Sequence, residues 1–150
     1  MGHGWFKTGI RTSVKIKLGY KNFYLYSATN PKTGKEFTLL LPLVNIDCMN
    51  IFLKEFSKEN QNQKITIIMD GAGWHQSKRL IIPNNIRIII QPPYSPELNP
   101  VEKLWQYIKD HTIKNRIYKT LRELENEVCK FVKTLTPEII KKVCNVSYVL

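Results

Sequence analysis

The chain has 150 residues, a length that suits a single domain spanning residues 1–150. Hydrophobic residues make up 43% of it, which excludes a globally disordered chain, and no apolar stretch approaches the length of about 20 residues that a membrane span needs. Lysine and arginine number 23 against 12 acidic residues, a formal net charge of +11. An excess of that size in a small domain predicts attraction to a polyanion, most simply nucleic acid.

The first third of the chain is expected to be mainly strand. The opening MGHGWFKTGIRT is rich in glycine and indicates no clear element. Apolar residues then alternate with lysines over residues 14–18, and residues 23–28 are aromatic and strand-prone. The segment NPKTG is a turn signal, and residues 37–41 are again apolar. We therefore expect a β-hairpin here.

A helix and two short apolar strands are expected next. Residues 45–60 carry apolar side chains at helical spacing: Ile46, Met49, Phe52, Leu53 and Phe56. The run KITIIM is typical of a strand covered on both faces, and IRIII of a second buried strand. Between them, GWHQSKRL indicates a turn or a short helix. The segment QPPYSPELNP has four prolines in ten residues and must be a loop.

Helices are expected to complete the chain. The first begins after Asn99, a good N-cap, with Pro100 at its first position and Trp105 on its apolar face. The second begins near Thr120, which could form a capping box with Glu123. A last short helix begins in TPEIIKKVC. The order of strands and helices predicts the α/β class, with a mixed sheet flanked by helices.

The three cysteines, Cys48, Cys129 and Cys144, are far apart, and no zinc-ligand spacing surrounds them. We expect buried, reduced thiols in a cytosolic or nuclear protein. The start of the chain lacks the apolar core of a signal peptide.

A carboxylate, Asp70, ends the first buried strand. Functional groups gather at the carboxyl ends of strands in open α/β sheets, and an unpaired buried carboxylate is costly, so Asp70 needs a partner or a metal ion. The alternative is that Asp70 binds backbone N–H groups of the turn around Gly71 and Gly73. On the local pattern the two interpretations are equally good.

Glu102 has two interpretations as well. It lies three residues after Asn99, so it could close a capping box. The same position lies at the positive end of the helix dipole, which keeps a carboxylate ionised and suited to a hard cation such as Mg²⁺.

The strings IIMDGAGWHQSKRL and IIIQPPYSPELNPVEKLWQYIK together resemble the catalytic core of DDE transposases of the mariner superfamily, including bacterial insertion-sequence transposases. The resemblance is most specific over residues 64–113. It implies a ribonuclease-H-like fold, Mg²⁺ or Mn²⁺ as cofactor, and DNA cleavage and strand transfer during transposition. It also implies that Asp70 and Glu102 are catalytic metal ligands, the second and third acids of the triad, although their spacing is slightly short. His75 and Asn99 match recurring auxiliary positions. For His75 a packing or capping role is the favoured alternative.

The resemblance also leaves the first acid of the triad unaccounted for. No acidic residue precedes Glu36. Asp47 and Glu36 are rejected as substitutes, since one belongs to the helix after the hairpin and the other to the hairpin turn. We therefore expect an N-terminally truncated domain that lacks its first strand, with that aspartate encoded upstream of Met1, and little activity from the chain alone.

DNA is the expected partner, both as element ends and as target, together with a homodimer or a complementing N-terminal transposase fragment. A bacterial cytoplasmic, nucleoid-associated location follows, without membrane association. The alternative function is a non-catalytic remnant that binds DNA or transposase. The residues expected to hold DNA phosphates are Lys15, Lys17, Lys21, Lys78 and Arg79.

Overall fold

The computed structural model describes residues 4–13, 22–71, 77–92 and 99–145. These residues form five strands and four helices. The strands are β1 (Gly4–Ser13), β2 (Tyr24–Thr29), β3 (Glu36–Leu41), β4 (Ile65–Met69) and β5 (Ile86–Ile90). The helices are α1 (Ile46–Glu59), α2 (Pro100–Thr112), α3 (Leu121–Val132) and α4 (Pro137–Val143). The predicted α/β class is confirmed.

All five strands belong to one mixed sheet, in the order β3-β2-β1-β4-β5. The hairpin strands β2 and β3 are antiparallel, and β2 is antiparallel to β1. The other two neighbours, β4 beside β1 and β5 beside β4, are parallel. The carboxyl ends of β1, β4 and β5 therefore lie at the same edge of the sheet, which is the edge where Asp70 follows β4.

The centre of the sheet differs from the prediction. The central place, expected to be empty for want of a first strand, is held by β1. Its ten residues come from the glycine-rich opening, whose sequence indicates no clear element. The alternating pattern is hidden because three of these residues are glycine or serine and the strand interior carries both lysine and arginine. No acidic residue lies in β1.

The sheet is covered on both faces by separate cores. On one face α1 packs through Met49, Phe52 and Phe56, confirming its predicted apolar stripe, although Ile46 at its start is only half-buried. On the other face α2, α3 and α4 form a second core around Leu104, Trp105, Ile108, Leu124, Val128 and Ile140. Each core residue of the larger type contributes roughly 1.5–3 kcal/mol by leaving water.

Strand β2 contributes side chains to both cores. Leu25, and Phe23 just before the strand, belong to the core on the α2 side, whereas Tyr26 and Ala28 belong to the core on the α1 side. In β4, Ile65, Ile67 and Met69 pack toward α1. The intervening residues of β4 are only half-buried, so the strand is less completely covered than predicted.

The strand β5 was expected to be buried and is not. Only Ile86 is fully buried, while Arg87 and Ile90 are exposed. The reason is its position at the edge of the sheet, beside β4 alone. An apolar run of five residues does not by itself distinguish a central strand from an edge strand.

The helix starts follow the predicted capping chemistry. Thr120 Oγ1 accepts from the Glu123 N–H at 3.2 Å, as one half of the expected capping box. The other half is displaced by one residue, because the Glu123 carboxylate accepts from the Lys119 N–H rather than that of Thr120. The predicted short helix α4 begins in the same way, with Thr136 as N-cap and Pro137 at its first position.

The hairpin turn is held against α4. Gly34 has a φ of +76°, and a Cβ at this position would collide with the backbone of Pro137. Asn30 accepts from the backbone N–H groups of Lys32 and Thr33 and closes the turn. Glycine is therefore required here for both conformation and space.

Two of the three thiols are buried as expected, namely Cys48 and Cys144, but Cys129 is exposed. The prediction was wrong for Cys129 because it lies on the outer face of α3, opposite the stripe that contacts α2. In the described ranges, no helix is both long enough and apolar enough to cross a membrane.

Candidate functional site

Asp70 is the first residue after β4 and is exposed. The end of β4 is fixed by β5, because Met69 accepts a backbone hydrogen bond from the Gln91 N–H at 2.8 Å. On the other side Met69 is level with Thr8 of β1. Asp70 therefore stands at the carboxyl edge of the sheet, one residue beyond this pairing. The alternative turn contacts through Gly73 lie outside the described residues.

The face of the sheet to which Asp70 belongs follows from strand alternation. Ile65, Ile67 and Met69 pack toward α1, so the intervening positions, and Asp70 after them, fall on the opposite face. That opposite face is the one covered by α2.

Glu102 lies on α2, the helix that covers this face. Asn99 is buried and caps the helix through its side chain, which accepts from the Val101 N–H at 3.2 Å. Pro100 follows at the first helical position, as predicted. Glu102 is exposed in the first turn, where the helix dipole favours its ionised form. The capping-box bond from the Asn99 N–H to the Glu102 carboxylate is not among the hydrogen bonds of the described residues.

The position of α2 along the sheet is fixed by Trp105. Its indole N–H donates to Ser27 Oγ at 3.2 Å, and both residues are buried. Ser27 pairs with Gly9, the neighbour of Thr8, so Ser27, Gly9 and Asp70 lie at one level across the sheet. Two strand spacings, about 10 Å in total, separate the β4 and β2 positions. Glu102 precedes Trp105 by roughly one helical turn.

The central strand offers no third carboxylate at this level. Its residue there is Gly9, and β1 contains neither aspartate nor glutamate. Within the described residues, no group of three histidine, cysteine, aspartate or glutamate side chains could hold a metal ion. Carboxylate oxygens such as those of Asp70 and Glu102 are the type of ligand that Mg²⁺ prefers, and one or two of them with several waters hold one ion. Two carboxylates are too few for a two-metal centre, in which shared carboxylates hold both ions.

Of the predicted DNA-binding residues, the structure describes Lys78 and Arg79. Both are exposed in the turn before β5, and Arg79 forms an ion pair with Asp47 at 3.1 Å. Both partners of that ion pair are about seven-tenths exposed, so the pair stabilises the fold little. Lys15, Lys17, Lys21 and His75 lie outside the described residues.

A chain of polar side chains behind Trp105 was missed by the sequence interpretation. Ser27 Oγ lies 2.9 Å from Thr38 Oγ1, and Thr38 Oγ1 donates to a Glu36 carboxylate oxygen at 2.8 Å. Glu36 is the first residue of β3 and does not lie in the hairpin turn, where the sequence pattern places it. Short polar residues within strands carry no signal of burial on their own, so no pattern distinguishes Ser27 and Thr38.

Burial shifts the pKa of two groups on this face. Desolvation raises the pKa of Glu36, opposed by the Thr38 hydrogen bond and reinforced by the nearby Glu59. Desolvation also raises the pKa of the Cys144 thiol to about 11, opposed by its hydrogen bond with Thr29. Both groups therefore favour their neutral forms more than exposed side chains do.

Comparison with known proteins gives the same fold and a family. The DDE superfamily endonuclease family matches residues 1–125. The uncharacterized protein y4pE/y4sA of Sinorhizobium fredii (strain NBRC 101917 / NGR234) is 36% identical over 107 residues, covering 71% of this chain and 79% of that protein. The insertion element IS630 39 kDa protein of Shigella sonnei is 28% identical over 142 residues. That match covers 91% of this chain and only 41% of the longer protein.

The catalytic domain of the Mos1 mariner transposase shares the fold. It superposes with a TM-score of 0.70 at 11% identity, covering 95% of this chain and 76% of that domain. The predicted ribonuclease-H-like architecture is therefore confirmed. The family match over most of the chain, the relative at 36% identity and the shared fold lead to one conclusion: this chain belongs to the DDE superfamily endonucleases and has the catalytic-domain fold of DDE transposases.

Proposed function

We propose that this chain serves in DNA transposition as the catalytic domain, or a part of the catalytic domain, of an insertion-sequence transposase. In this role Asp70 and Glu102 are the ligands of a divalent cation, and the substrate is a DNA phosphodiester bond. The observation that carries the proposal is that Asp70 follows β4 on the face of the sheet that α2 covers, and α2 carries Glu102 in its first turn.

Mg²⁺ or Mn²⁺ is the cofactor that these two residues would hold. Carboxylate oxygens are the ligands that Mg²⁺ prefers, and one or two of them with bound waters suffice for binding. When bound, such an ion stabilises negative charge on a phosphoryl oxygen. Asp70 and Glu102 would bind the ion and balance its charge from two different elements, so the site would depend on how β4 and α2 pack together.

A complete two-metal centre needs a carboxylate that β1 does not supply. We propose that another polypeptide contributes it, either a second copy or a complementing transposase fragment. Asn99 would then support the site by capping α2, and His75 by contacting a phosphate. Five basic residues would hold the DNA backbone in the bacterial cytoplasm, at the nucleoid. They are Lys15, Lys17, Lys21, Lys78 and Arg79.

The test combines DNA binding and DNA nicking. Labelled duplex DNA is titrated with the chain at several salt concentrations, and nicking of a supercoiled plasmid is followed with Mg²⁺ or Mn²⁺. We expect salt-sensitive binding, with any metal-dependent nicking lost in Asp70→Asn and Glu102→Gln and kept in Asp110→Asn. Asp110 is the matched control because it is an exposed carboxylate on the same helix. Nicking that survives both site substitutions would refute the assigned ligands.

The alternative function is DNA or transposase binding without cleavage. It is favoured by one observation, the absence of any acidic residue before Glu36 and hence from the central strand. Salt-sensitive DNA binding that is unchanged in Asp70→Asn and Glu102→Gln, with no nicking under any metal, would support this alternative.

A further inference from the structure

Glu36 is a half-buried carboxylate that the proposed cleavage chemistry does not use. It begins β3 at the edge of the sheet and faces the α2 side, as do its partners Thr38 and Thr29. Burying a carboxylate is unfavourable, and Glu59 near it adds repulsion.

The hydrogen bonds starting from Glu36 have one consistent direction. An ionised carboxylate can only accept hydrogen bonds, so the single hydroxyl proton of Thr38 is donated to Glu36. Thr38 must then accept from Ser27 across 2.9 Å. Ser27 in turn accepts from the Trp105 indole, which can only donate. Three bonds therefore point the same way, from the helix α2 to the edge strand β3.

The direction depends on the charge of Glu36. If this carboxyl is neutral it can donate to Thr38, which then can donate to Ser27. Ser27 Oγ would then accept two hydrogen bonds, one from Thr38 and one from the Trp105 indole. The hydroxyl proton of Ser27 would lose Thr38 as its acceptor. The ionised carboxylate removes this second arrangement, and aligned bonds of this kind strengthen one another in a buried setting.

We propose that Glu36 is a positioning residue, whose carboxylate orders the chain Thr38–Ser27–Trp105 and so holds α2, the helix that carries Glu102, against the sheet. The statement about Glu102 rests on the proposed function, whereas the ordering of the chain does not. Other ionisable groups near Glu36 are Glu59 at the end of α1 and Cys144 after α4, and Lys103 of α2 acts on Cys144.

The test of the ordering follows the Trp105 indole N–H resonance in the ¹⁵N-labelled full chain. The resonance is assigned with Trp105→Phe and followed from about pH 4 to about pH 8, across the range in which a buried glutamate titrates. We expect it to shift with the titration of Glu36 in the parent chain, to stay constant in Glu36→Gln, and to shift much less in Thr38→Val. Thr38→Val keeps the shape of the side chain at a half-buried position.

A parent resonance that is independent of pH would overturn the proposal, as would an equal shift in Thr38→Val. The matched control is Glu55→Gln, an exposed carboxylate on α1 paired with Lys58, which should leave the titration unchanged.

The positioning of Glu102 is tested by Mn²⁺ affinity in the same variants. Thr38→Val should weaken binding about tenfold, the lower end of the loss typical of groups that orient a ligand. Unchanged affinity in Thr38→Val, when Asp70→Asn and Glu102→Gln do weaken binding, contradicts the positioning role and leaves the proposed function intact. If those two substitutions have no effect, the proposed function fails, and the indole resonance alone decides whether Glu36 orders the chain.

Discussion

Trp105 donates its indole N–H to Ser27 Oγ across 3.2 Å, and this bond relates helix α2 to the edge of the sheet where Asp70 lies. Ser27 pairs with Gly9, and Gly9 and Asp70 each follow directly after the paired residues Thr8 and Met69. Glu102 lies on the same helix, roughly one turn before Trp105. One buried hydrogen bond and the register of three strands therefore relate this helix to the strand that Asp70 follows.

Ser27→Ala should destabilise the fold by about 1–3 kcal/mol, because the Trp105 N–H would be buried without its acceptor. Urea unfolding measures the change. Trp105→Phe removes the donor as well, so the double substitution should cost clearly less than the sum of the single ones. Additive effects would show that the bond contributes nothing. Thr134→Ala, which alters an exposed hydroxyl after α3, is the control.

Glu36→Gln should stabilise the protein near neutral pH and not at acid pH. Burial raises the folded-state pKa of Glu36, so the folded state binds its proton more tightly than the unfolded state. Stability contributed by this group is thus full below the ordinary glutamate pKa and falls as pH rises to the raised value. The difference in stability between Glu36→Gln and the parent chain should therefore increase as the pH rises through that range. Thermal unfolding at several pH values measures it, and an unchanged difference at every pH contradicts the prediction.

Such a result, together with a lost indole titration, would make Glu36 a residue that lowers stability while ordering the site. Trade-offs of this kind are common at functional positions.

Gly9→Asp should create a third carboxylate beside Asp70. Directly opposed residues of an antiparallel pair share a face, so an aspartate at position 9 would project on the side of Ser27 and α2. We expect Mn²⁺ affinity to rise about tenfold, equivalent to roughly 1.4 kcal/mol. Without metal the variant should be less stable than Gly9→Asn, its uncharged control. Equal metal affinity of the two variants would contradict the placement of Gly9 level with Asp70.

The thiols should react at different rates. Cys129 is exposed and should be modified quickly by a small disulfide reagent. Cys144 is buried with a pKa of about 11, so only about one part in a thousand is thiolate at pH 8. The buried Cys48 should also be slow because the reagent cannot reach it. A single fast thiol that disappears in Cys129→Ser is the expected result, and a second fast thiol in the folded protein contradicts it.

The helices and the hairpin could be predicted from sequence because their signals are local. Asn99 and Pro100 start α2, and the apolar stripe of α1 has regular spacing. The central strand β1 could not be predicted, because its residues form a strand by pairing with β2 and β4, which come later in the chain. The exposure of β5 was missed for a similar reason, because edge position is a property of the sheet and not of the segment.

At the candidate site, the sequence indicated Asp70 and Glu102 by their motifs, and strand alternation assigns Asp70 to the face of the sheet that α2 covers. Ser27, Thr38 and Glu36 carry no motif. Their connection exists only once β2 and β3 pair and α2 packs on them, so it is a tertiary property.

The central claim is that Asp70 and Glu102 hold one divalent cation together, and Mn²⁺ binding measured by electron paramagnetic resonance tests it most directly. The chain is compared with Asp70→Asn, Glu102→Gln, the double variant and Asp110→Asn. We predict a site that either single substitution weakens by about tenfold or more, at least roughly 1.4 kcal/mol, with little further loss in the double variant. Binding that both single variants retain to the same extent as Asp110→Asn would contradict a shared cation.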